Sequence, residues 1–166
     1  MRPSIRLATT AAMAALITAG LATTASADHG GSLVRSKHLI GVQAPFLGAT
    51  NPVHGVNGGG APWVLDEGEL RVKADGRVRM EVEGLVIDPA VGPPRGGTNP
   101  IAEFKVVISC DNGDGTYTLV STETTPASPT GDASLRTRVT LPAKCDDPIA
   151  FITSPGGAWF AATSVG

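Results

Sequence analysis

The chain has 166 residues, a formal net charge of −2, and a composition that is 42% hydrophobic, 17% charged and 4% aromatic. That length suits one domain at roughly 100–200 residues per domain. The low charge and high apolar content exclude a coiled coil and a charged disordered segment, and no basic excess is present to meet nucleic-acid phosphates.

Residues 1–27 read as an export signal. Arg2 and Arg6 precede the uncharged stretch Leu7 to Ala22, and Ala25-Ser26-Ala27 is a small-x-small cleavage site. Cleavage is expected after Ala27 by the general secretion pathway, since no twin arginine is present. The stretch is too short, and too diluted by Thr, to anchor the chain in a bilayer. Residues 28–166 are then expected to form a single secreted domain, soluble and extracellular, with no membrane contact once the leader is gone.

Asp28-His29 would open the processed chain, with His29 second rather than third as tight amino-terminal copper binding requires. His29, His38 and His54 show no paired ligand spacing, so no metal or other cofactor is expected. Residues 43–62 carry Pro45, Pro52 and Asn57-Gly58-Gly59-Gly60, which oppose a strand. The glycine run is not a phosphate cradle, because Pro62 opposes the helix that would have to follow it. It reads as a flexible or tightly turned loop, and loops this long are often functional or disordered.

From Glu69 to Val82 the pattern is clearest. Leu70, Val72 and Ala74 alternate with Glu69, Arg71 and Lys73, and Val78, Met80 and Val82 alternate with Arg77, Arg79 and Glu81. Period two with one polar side is a half-buried strand. Ala74-Asp75-Gly76 between the runs predicts a three-residue hairpin loop with Gly76 left-handed. It would pair Val72 with Val78 and Leu70 with Met80. It would also oppose Arg71 to Arg79, at a cost that Arg71–Glu81 and Glu69–Arg79 diagonals are available to offset.

Residues 88–100, rich in Pro and Gly and with Arg95 near the tip, form a second loop. Phe104, Val106, Ile108 and Cys110 share one side of a strand over 103–110. Asp111-Asn112-Gly113-Asp114-Gly115 lacks the alternate oxygens and distal Glu of a calcium loop and reads as a hairpin turn. Thr116 to Thr122 is rich in β-formers. Leu135, Val139 and Leu141 share a face in 133–141, with Arg136 and Arg138 opposite. Residues 149–153 and 158–163 read as a closing hairpin around Ser154-Pro155-Gly156-Gly157.

Seven or eight strands with frequent turns and no helical periodicity predict an all-β fold. The expected form is an antiparallel β-sandwich of immunoglobulin-like architecture. Cys110 and Cys145 are the only cysteines, and in an exported chain they are expected to form one disulfide joining strand ends at the rim. The leader, Asn57-Gly58-Gly59-Gly60-Ala61-Pro62-Trp63, the cysteine pair and Gly157-Ala158-Trp159-Phe160-Ala161 together resemble the small secreted, functionally unassigned β-rich proteins of actinobacteria. That resemblance implies a secreted β-domain and carries no catalytic motif.

Function is expected to be contact with an extracellular glycan or protein, without catalysis. Trp63, Tyr117 and Trp159 are candidates for sugar stacking, and Arg95 and Asn99 for contacts from the 88–100 loop. Trp159 and Phe160 are adjacent, so they face opposite ways and one is expected at the surface or over a sheet edge. A small extracellular hydrolase is the first alternative, drawing on Asp66, Glu67, Glu69, Glu81, Glu83 and Glu103 as a two-carboxylate set. No Gly-x-Ser-x-Gly elbow is present. A protease inhibitor presenting loop 88–100 is the second alternative.

Overall fold

A computed structural model describes residues 31–164; the expected export signal over 1–27, Asp28 and His29 lie outside the described residues. The described residues run through twelve strands, all paired antiparallel. In order they are β1 (Ser32–Ser36), β2 (Ile40–Gly41), β3 (Trp63–Val64), β4 (Glu67–Lys73), β5 (Arg77–Glu83), β6 (Val86–Ile87), β7 (Glu103–Asp111), β8 (Tyr117–Ser121), β9 (Thr125–Pro126), β10 (Ala133–Arg138), β11 (Asp146–Thr153) and β12 (Trp159–Ala162). Eight have four residues or more, in line with the count of seven or eight. The other four are two-residue pairings too short to leave a period.

Two sheets make the sandwich. One has the order β1-β4-β5-β10; the other has β2-β12-β11-β7-β8, with β9 extending the pairing of β7. The short pair β3-β6 stands apart. The β4–β5 hairpin has the expected register, Val72 opposite Val78, Leu70 opposite Met80 and Arg71 opposite Arg79. Gly76 sits at φ +84, in the left-handed region that only glycine enters without strain. The interior is built by alternation: Val34, Leu70, Val72, Val78, Met80, Val82 and Leu135 from the first sheet, and Phe104, Val106, Ile108, Ala150 and Ile152 from the second, are all buried. Trp63 stacks on Phe160 with ring centroids 4.1 Å apart, and Phe104 lies 5.9 Å from the same ring.

Cys110 and Cys145 form a disulfide. It spans the end of β7 and the residue before β11, where Asp111 pairs with Asp146. The link therefore fastens two neighbouring strands of one sheet at their shared end. The strand expected over 133–141 is shorter, since β10 stops at Arg138 and leaves Val139 and Leu141 half-buried beyond it.

The second sheet is covered on both sides, and two expectations change as a result. Val107, Ser109, Ile149, Phe151 and Trp159 project away from the first sheet, yet all are buried. Their cover is the segment read as a functional or disordered loop. Phe46 packs on Trp159 at 6.4 Å, and Val53 and Val56 are buried and hydrogen-bonded to each other. Gly59 N–H donates to the Trp159 carbonyl, and Trp159 N–H to that of Asn57. A Cβ at Gly58 would run into the Phe46 carbonyl, so the glycine serves close approach rather than freedom. Phe160 meets Trp63 on one side and Trp159 meets Phe46 and Phe151 on the other, so neither aromatic reaches the surface.

Candidate functional site

The outer face of the first sheet is built by the same period of two that fills the core. Every second residue of β1, β4, β5 and β10 points away from the interior, and nearly all of these are charged. Register then sorts them by sign. Arg35 lies opposite Arg71, Arg71 opposite Arg79, and Arg79 opposite Arg136, making one row of four arginines across four strands. Beside that row Arg77 lies opposite Arg138, with Lys73 at the start of the same turn. On the far side of the row Glu69 opposes Glu81 and Glu67 opposes Glu83. One half of the face is thus cationic and the other anionic.

The cationic half holds seven of the chain's 13 Lys and Arg residues in a chain of net charge −2. Two carboxylates meet it. Asp75 lies 2.7 Å from Arg77 and 3.9 Å from Arg138, and Glu81 lies 2.7 Å from Arg79. The hydrogen bond from Arg77 is the largest influence holding the Asp75 carboxyl below its usual range, and that from Arg79 does the same for Glu81. Arg71 Nε donates to Ser32 Oγ at 3.2 Å. Among the described residues, Arg35, Lys73 and Arg136 have no carboxylate within ion-pair distance. A shallow hollow of about 420 Å³ lies over Arg71, Lys73, Arg77, Arg79, Arg136 and Arg138.

The anionic half continues into an open groove of about 740 Å³, lined by Asp66, Glu67, Glu69, Glu81, Glu83 and, across it, Lys37 and His38. Gly68 lies on the groove floor against Leu39 and Leu65. Here the structure gathers five of the six carboxylates named as hydrolytic candidates. Glu103, at the start of β7 in the other sheet, stays apart. Among the described residues no group of three His, Cys, Asp or Glu side chains converges as a ligand set.

The individually expected binding residues are scattered. Trp63 and Trp159 are 3% and 0% exposed, so neither indole offers a face to a sugar. Asn99 is also buried and serves as a staple. Its amide donates to the Ile101 and Ser128 carbonyls, and its Oδ1 accepts from Ile101 N–H. Arg95 is exposed in a loop closed at its base by Ile87 N–H to Thr98 O and Gly97 N–H to Ile87 O. His54 stacks on Tyr117 at 4.2 Å and approaches Ser109 Oγ at 3.4 Å. In the 111–116 turn the Asp111 and Asp114 carboxylates accept backbone N–H bonds from Gly113 and Thr116, as hairpin chemistry requires.

The arginine row was not assembled from sequence. The alternation opposes Arg71 to Arg79 and sets Arg136 on a polar face, but the row needs β1 and β10 on either side of the hairpin. Those pairings join residues 36 and 57 positions apart, and no local period reports them. No family model matches the chain, and no characterised protein or solved structure shows significant similarity to it.

Proposed function

We propose that this is a secreted protein that acts by contact, without catalysis, and that its ligand is an extracellular glycan or protein. The observation that carries this reading is the broad, solvent-exposed, sign-sorted face of the four-stranded sheet. Opposing like charges across strands destabilises a sheet, so a face that keeps four arginines in one row gives up stability that a partner of opposite charge can restore. Export with cleavage after Ala27 accords with the disulfide, since such bonds persist in oxidising compartments. No helix among the described residues is long and apolar enough to cross a membrane.

A hydrolase is the second reading, and the acidic groove is what favours it. Against it, a general acid needs a carboxyl that holds its proton near neutral pH. In this groove the hydrogen bond from Arg79 pushes the Glu81 carboxyl the other way.

Processed protein collected from the medium tests both readings by glycan array, pull-down and turnover assay. Amino-terminal sequencing should start at Asp28-His29. The expected result is saturable retention of a ligand with no product. Turnover abolished by Glu67→Gln or Glu83→Gln would replace this reading with the hydrolase.

A further inference from the structure

We propose that the arginine rows bind a linear anionic polysaccharide, one with a carboxylate or sulfate on its rings, laid across the strands of the outer face. This inference rests on the reading of the protein as a contact module and names the class of its ligand.

The geometry argues first for an extended, narrow ligand. Neighbouring strands are about 4.8 Å apart, so Arg35, Arg71, Arg79 and Arg136 space their forks along a line of roughly 14 Å. Arg77 and Arg138 run parallel to it, two residues away along the strands, or about 7 Å. The hollow over Arg71, Lys73, Arg77, Arg79, Arg136 and Arg138 is the track between the two lines, with Arg35 beyond its end. A chain in that track meets cations on both sides, and its length runs across the sheet.

The chemistry argues next for oxyanions. Six of the seven cations are arginine, whose planar fork grips a carboxylate or sulfate through two parallel N–H bonds, where lysine offers a point charge. Among the described residues, Asp75 and Glu81 are the carboxylates within ion-pair distance of the set. An incoming row of anions relieves the repulsion that register imposes between neighbouring arginines.

Two other partners fit less well. A nucleic-acid duplex is too wide to rest on the cationic half alone, and would bring phosphates over Glu67, Glu69, Glu81 and Glu83. Single strands are held by aromatic stacking platforms, and the outward residues of β1, β4, β5 and β10 include no aromatic. The acid–base boundary runs parallel to the arginine row, so a slim polysaccharide can follow the basic side without crossing it. A second copy of this chain, turned end for end, would also match charge, and the test includes that outcome.

The experiment uses the processed protein with its disulfide intact, titrated against heparin and polygalacturonate, with neutral dextran and duplex DNA as comparators. Arg35→Glu combined with Arg136→Glu is the decisive variant. Both residues are exposed, lie on outer strands and face Arg71 and Arg79, so reversal makes opposite-sign pairs and the melting temperature should hold or rise. The expected result is binding to at least one of the two acidic polysaccharides that weakens with salt and falls at least about tenfold in this variant. Lys144→Glu, remote from this face, should change affinity little.

The inference is overturned if neither polysaccharide binds better than dextran, if the double variant binds as well as the parent, or if DNA binds more tightly. It also fails if the reversal only dissolves a dimer seen by sedimentation. A neutral glycan or protein ligand retained by the double variant would overturn this inference and leave the contact reading standing. Turnover of either polysaccharide would overturn the contact reading itself.

Discussion

The two sheets bury their inner faces against each other, but their outer faces have opposite fates. On the first sheet the outer face meets water and carries Arg35, Arg71, Arg79, Arg136 and the facing glutamates. On the second, Phe151, Val107 and Trp159 are buried, with Phe46, His54 and Asn57 to Gly59 reaching Trp159 and Ser109 from outside. The same backbone period thus writes two different sequences: strict alternation where one side is wet, and near-continuous apolar runs such as Val106-Val107-Ile108 and Ile149 to Ile152 where neither is. A coil that carries its own apolar residues can do the work of a third layer.

That contrast predicts where substitutions hurt. Trp159→Ala should cost about 3–5 kcal/mol, because a large buried ring is lost. Arg79→Ala on the wet face should cost under about 0.5 kcal/mol. Urea midpoints compare the two, and similar losses would mean the outer layers are not as different as their burial implies. Replacing both Cys110 and Cys145 by Ser should cost roughly 3–4 kcal/mol for a 35-residue separation. The loss should appear as earlier unfolding of the covered sheet in hydrogen exchange.

Asn99→Ala should cost about 1–3 kcal/mol, since it strands half-buried carbonyl groups and the Ile101 N–H. Exchange should rise around Ile101 while the β4–β5 hairpin keeps its protection. The smallest effect is titration. The carboxyls of Asp75, Glu81, Asp114, Glu123 and Asp132 are all held below their usual values, chiefly by hydrogen bonds from Arg77, Arg79, Thr116, Thr137 and Thr130 respectively. A folded-state pKa below the unfolded one gives stability that is complete above the unfolded value and disappears as pH falls through the folded value. Thermal melts should therefore show a modest acid destabilisation that begins as pH enters the ordinary carboxylate range and completes below it, and Asp132→Asn should flatten part of it.

Legibility in the sequence followed the same division. The hairpin register could be read from residues 69–82, because Ala74-Asp75-Gly76 and a one-sided alternation leave a single consistent pairing. The cysteine pair could be read because two cysteines allow one bridge. Segment 43–62 could not, since its prolines and glycines suppress β periodicity while Phe46, Val53 and Val56 are too widely spaced to signal burial. Trp63 and Trp159 looked available for ligands because rarity in composition says nothing about which side of a strand is covered. The sign-sorted face lay half in view, as charges on one hairpin whose flanking strands come from distant parts of the chain.

The bonds between Asn57, Gly59 and Trp159 have one more effect. β12 reads Trp-Phe-Ala-Ala, a short apolar strand with no charge to deter a neighbour, and its outer margin would otherwise present unpaired N–H and C=O groups. That margin is taken up by Ile40–Gly41 at one end and by Asn57 to Gly59 at the other. The chain thereby blocks sheet growth into another molecule with its own coil. Loosening the turn around Gly58 would open that margin to pairing with another molecule.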